Sequence, residues 1–140
     1  MGYTTEFAGG IEVRPYMDFH TCEEIDDFAA ERHCVNPMGD RTGDYEGYNK
    51  VAPGCPGLWC QWVTQRWEEE DGGDAIVWDG GEKFYNAAEW MQYIIDRFLA
   101  PKGYKCNGEI EAQGEDPDDM WKLVVADNKV SVKKGRKVYD

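Results

Sequence analysis

Residues 58–67 read LWCQWVTQRW, 75–85 read AIVWDGGEKFY and 86–99 read NAAEWMQYIIDRFL. This stretch, Leu58 to Leu99, holds five of the six tryptophans, so much of any hydrophobic core must come from it. Leu58, Cys60, Trp62 and Thr64 alternate with Trp59, Gln61, Val63 and Gln65, a period of two that predicts a strand with tryptophan on both faces. Ala75 to Trp78 reads as the returning strand of a hairpin across EEEDGGD, with Gly72 and Gly73 supplying positive φ. In the last segment Phe84, Ala87, Ala88, Met91, Ile94, Ile95, Phe98 and Leu99 recur at helical spacing and predict an amphipathic helix. Asn86 is its expected N-cap, with Glu89 completing a capping box and Tyr85 and Trp90 a staple. Pro101 and Gly103 end it. Tyr93 falls on its polar side, facing solvent or a partner.

Working outward, residues 3–13 predict an opening strand bulged at Gly9 and Gly10. A second helix follows, capped by Thr21 with Glu24 in a T-x-x-E box and burying Cys22, Ile25, Phe28 and Ala29. Glu23, Glu24, Asp26, Asp27 and Glu31 crowd its remaining surface, where carboxylates three and four apart repel by a few tenths of a kcal/mol. Residues 34–57 form a long irregular loop rich in Gly, Pro, Asn and Asp, of the kind that is usually functional. Glu109 to Gln113, Trp121 to Ala126 and Val130 to Val132 are further strands, the last pair a tight hairpin. The expected fold is α+β, an antiparallel or mixed sheet of five to six strands with two helices. Its elements follow the ferredoxin-like βαββαβ order with an added C-terminal hairpin.

A chain of 140 residues and 16.0 kDa is read as a single domain over 1–140, with a basic tail at 133–140. No apolar run approaches a membrane span, and MGYTTEF lacks the features of a secretion signal, so a cytoplasmic protein of a bacterial host is expected. Five cysteines without regular spacing fit reduced thiols. The net charge is -13, with 10 basic against 26 acidic residues in 1–126 and 5 against 2 in 127–140. A body so acidic repels phosphate, which disfavours direct nucleic-acid binding and favours a basic protein partner.

The strings GYTTEF, PGLWCQWV, IVWDGGEKFYNAAEWMQYIIDRFL and NGEIEAQGEDPDD resemble a family of small acidic hypothetical proteins from actinobacteria and their bacteriophages. The resemblance implies a bacterial or phage origin and carries over no catalytic residue. Its departure is the Cys- and His-containing segment before Pro53.

Three constellations bear on chemistry. Asp116, Asp118 and Asp119, with Glu115, offer oxygen ligands to a hard cation but lack the spacing of an EF-hand, so the competing expectation is a solvated Pro-Asp turn. His20, Cys22, His33, Cys34, Cys55 and Cys60 could supply zinc ligands, yet no short C-x-x-C spacing is present. WDGGEKFY has too few glycines and too many acids for a phosphate loop. No cofactor is expected. The leading functional expectation is a non-enzymatic acidic protein binding a basic partner, such as a phage-derived DNA mimic that inhibits a host or defence nucleic-acid-binding protein. Glu23, Asp26, Asp27, Glu31, Glu68, Glu69 and Glu70 would form its electrostatic surface and Tyr93 its anchor. A metal-dependent hydrolase or nuclease using the Asp-rich turn, and a structural or virion-associated oligomer joined at a sheet edge, are the alternatives.

Overall fold

A computed structural model describes residues 5–35, 47–48, 50–66, 73–81 and 84–134. Its elements are β1 (Thr5–Met17), α1 (Phe19–Ala29), β2 (Trp62–Arg66), β3 (Gly73–Trp78), α2 (Ala87–Ile94), β4 (Lys105–Gly114), β5 (Met120–Ala126) and β6 (Lys129–Lys134). The strands form one antiparallel sheet of six in the order β2-β3-β1-β4-β5-β6, so the fold is α+β. Each helical connection skips one strand: β3 lies between β1 and β2, and β1 between β3 and β4.

Alternation explains which face is covered. Ile11 and Val13 of β1, Cys106 and Ile110 of β4 and Leu123 and Val125 of β5 are buried, while Glu12, Glu109, Glu111 and Lys122 point the other way into solvent. Cys22 and Ile25 of α1 and Trp90, Met91 and Ile94 of α2 join the same apolar cluster, so both helices lie on the inward face. No described helix is long and apolar enough to cross a membrane.

Five local expectations need correction. The N-cap of α1 is Asp18, whose Oδ1 accepts from the Thr21 backbone N–H at 2.7 Å; Glu24 instead meets Lys102 at 2.8 Å. Asn86 does occupy the N-cap of α2, but with a left-handed backbone (φ 58) and no side-chain cap, and Tyr85 is too exposed to staple against buried Trp90. The helix also changes pitch, running through a π turn at Ile95–Leu99 and a 3-10 turn at Ala100–Lys102 before Gly103 ends it. In β1, pairing with β4 is regular through Gly9 and Gly10, and the irregularity against β3 falls between Glu12 and Met17 instead. Finally, Gly73 is required by close approach rather than positive φ, since a Cβ there would collide with the Gln65 carbonyl.

The C-terminal hairpin forms as expected. Asp127 and Asn128 both take positive φ, 49° and 71°, as a two-residue hairpin turn demands. The Asn128 side chain then accepts from Cys106 N at 2.6 Å and donates to Tyr104 O at 3.0 Å, stitching the turn to β4. Gln92 fastens α2 to this turn, donating to Asn128 O at 2.9 Å and accepting from Val130 N at 2.8 Å.

Candidate functional site

Backbone bonds around His33 tie together the described ends of the long loop. The His33 N–H donates to Leu58 O at 2.7 Å, its carbonyl accepts from Ala52 N at 3.1 Å, and Cys34 and Val51 form an isolated bridge. The His33 ring stacks on Phe28 at 4.0 Å between centroids, and Nε2 lies 2.9 Å from the Phe28 carbonyl, which places the proton on Nε2. With Leu58 bonded to His33, residues 58–60 lie outside the sheet, while Gln61 O still accepts from Asp79 N. The alternating pattern of Leu58 to Gln65 therefore yields a strand only from Trp62.

What the displaced segment makes instead is a recess. Val51, Leu58, Trp59, Gln61, Tyr85 and Asn86 enclose a cavity of about 460 Å³. Trp59 is 43% and Tyr85 61% exposed, a large apolar investment left in contact with water. Three contacts hold the frame rigid: Asn86 Nδ2 donates to Pro56 O at 2.6 Å, Trp78 Nε1 donates to Gln61 Oε1 at 3.0 Å, and Asp79 N donates to Gln61 O at 3.0 Å. Beneath it Trp90 is fully buried, its Nε1 hydrogen without a partner among the described residues and facing Gly57, where an added Cβ would stand 3.2 Å away. Any side chain larger than hydrogen at 57 would press on that indole.

The C-terminal end of α1 approaches the recess through Arg32. Glu23, Asp27 and Glu31 are exposed along α1, and Arg32 at its end stands 4.1 Å over the Tyr48 ring and 6.0 Å from Trp59. Asp26 departs from that face. Its two carboxylate oxygens accept from Thr64 N and Thr64 Oγ1, each at 2.8 Å, so it fastens α1 along β2. Glu68, Glu69 and Glu70 lie outside the described residues. Tyr93 is half-buried rather than a projecting anchor: it stacks on Phe28 at 5.5 Å, and burial first, then the neighbouring Cys55 thiol, raises its hydroxyl pKa.

The proposed cation ligands do not converge. Asp116 Oδ1 accepts from Asp118 N at 3.0 Å, and Asp119 N donates to Asp116 O at 2.9 Å, which is the turn chemistry of a Pro-Asp sequence. Asp118 and Asp119 instead line a second cavity of about 420 Å³ with Glu89 and Lys134. Among the described residues no three His, Cys, Asp or Glu side chains are grouped to hold a metal. The Cys and His set is dispersed likewise. His20 pairs with Glu24 at 3.2 Å, Cys22 is in the core, and burial pushes the Cys60 thiol up to about 12. Burial likewise raises Cys106 to about 11, so neither is a ready nucleophile.

No family model matches the chain, and no curated protein and no solved structure matches it. Sequence reading missed the recess, because its walls come from segments 51–61 and 85–86 that only the fold brings together. The available signal was the excess of indoles over core volume.

Proposed function

We propose that this chain is a non-enzymatic binding protein whose partner presents a basic surface. The observation that carries the reading is the recess itself, in which Trp59 and Tyr85 stand half-exposed on a chain of net charge -13. Exposed aromatics in a preformed pocket are the usual anchors of a protein contact, and the charge of so acidic a chain steers a cationic partner and suppresses anionic ones. A groove that normally holds nucleic acid has the charge required. An inhibitor made by a bacteriophage or its actinobacterial host, mimicking the charge of DNA, accords with the sequence resemblance.

The alternatives draw less support. A hydrolase would need clustered metal ligands, and the described Asp-rich turn is spent on its own hydrogen bonds. Edge-to-edge assembly is opposed at β2 by Asp26 on the Thr64 N–H, and at β6 by Lys129, Lys133 and Lys134. The test is affinity capture from a bacterial host lysate with wild-type protein and with the Glu23→Lys, Asp27→Lys, Glu31→Lys variant. A partner that is retained by wild type, released by added salt and lost with the variant supports the reading. Retention that is indifferent to both would sink it.

A further inference from the structure

The two cavities share a wall. Asn86 lines both, its left-handed backbone and its bond to Pro56 O fixing a ridge between them. The second cavity has an apolar floor of Phe84, Trp121 and Val132, the last 52% exposed, because α2 does not extend far enough to cover the inward side of β6. Among the described residues its rim carries the carboxylates of Glu89, Asp118 and Asp119 and the ammonium of Lys134. Both cavities are thus apolar within, and the second is acidic at its edge. Each exceeds about 300 Å³, enough to accept a large aliphatic or aromatic side chain.

We infer that these cavities form one groove for an extended basic segment of the partner, which crosses the Asn86 ridge with an apolar side chain in each cavity and a lysine or arginine on the acidic rim. The inference rests on the binding-protein reading and names the chemistry of the segment recognised. Charge selects the occupant: three carboxylates to one ammonium among the described rim residues, on a chain of -13, disfavour nucleic acid and acidic peptides. Apolar floors on both sides of the ridge favour a chain with two anchors over a lone cation.

The experiment is selection of a random-peptide phage display library on the full chain at low salt, followed by titration of the best peptide. Enriched peptides should carry net positive charge and at least two large apolar residues. The synthetic peptide should shift the indole N–H signals of both Trp59 and Trp121 in proton–nitrogen correlation spectra. Its affinity should fall about tenfold in Tyr85→Ser and in Val132→Asp. Tyr85 and Val132 are exposed, so these variants should fold, and unchanged melting temperatures would establish it. No enrichment, enrichment of acidic sequences, or wild-type affinity in both variants would overturn the groove. If reversal of α1 charge abolishes partner capture while Tyr85→Ser and Val132→Asp preserve it, the groove fails and the binding-protein reading stands. Capture unaffected by all of these changes removes both.

Discussion

Two aromatic clusters share one core and are built differently. Phe7 sits among Trp62, Trp78, Phe84 and Trp121, all edge-on at 5.2 to 5.8 Å, and the indoles of Trp62 and Trp78 donate to Ala87 O and Gln61 Oε1. Phe28 sits among His33, Trp90, Tyr93 and Phe98 at 4.0 to 5.8 Å, and the Trp90 indole has no partner among the described residues. The first cluster is organised chiefly by strand register. The second joins α1, α2 and an irregular loop, and it lies directly under the recess through Gly57. A buried donor without an acceptor among the described residues departs from the usual pairing of buried polar groups. The two clusters thus differ in how their buried indoles are satisfied: Trp62 is hydrogen-bonded, and Trp90, under the recess, is not.

The sharpest way to break this comparison is to empty the first cluster. Trp62→Ala removes a fully buried indole and should cost about 3–5 kcal/mol in urea denaturation. Asp26→Ala should rank next, at about 1.5–3 kcal/mol, because both bonds to Thr64 that tie α1 to β2 are charge-assisted. A finer test replaces each buried indole by phenylalanine. Trp62→Phe forfeits the 2.8 Å bond to Ala87 O whereas Trp90→Phe removes an unpaired donor, so the first should cost about 1 kcal/mol more. Equal costs would erase the distinction between the clusters.

A smaller effect lies at the start of α1. The Asp18 carboxyl is held below its ordinary pKa mainly by the Thr21 N–H, and Glu24 mainly by Lys102. Folded values below the unfolded ones mean that their contribution is present above the unfolded carboxylate range and is lost as pH falls through the lowered folded values. Both groups are solvent-accessible, so screening keeps the contribution modest. The double variant Asp18→Asn, Glu24→Gln should therefore show a shallower decline of melting temperature than wild type below about pH 5.

The sequence exposed what is local and concealed what is not. Short runs bounded by turn residues located β3, β4, β5 and β6, and the spacing of Met91, Ile94, Phe98 and Leu99 located the second helix, because both signals depend on neighbours in the chain. Asp18 and Thr21 are both acceptable caps, and the sequence could not choose between them without the backbone of residue 18. Asn86 has the composition of a capping residue, but Pro56, thirty positions away, claims its amide. Leu58 to Cys60 continue the alternation of a strand, yet they lie outside the sheet where His33 N donates to Leu58 O. The acids of α1 were legible as a surface. Only Thr64, from a distant strand, reveals that Asp26 does not belong to it.

The most direct measurement pairs partner capture with urea denaturation for the variant Trp59→Ala, Tyr85→Ala. The recess is held to serve binding rather than folding, so stability should stay within about 1 kcal/mol of wild type while the captured partner is lost. A variant that keeps the partner, or one that loses several kcal/mol of stability together with it, would contradict that claim.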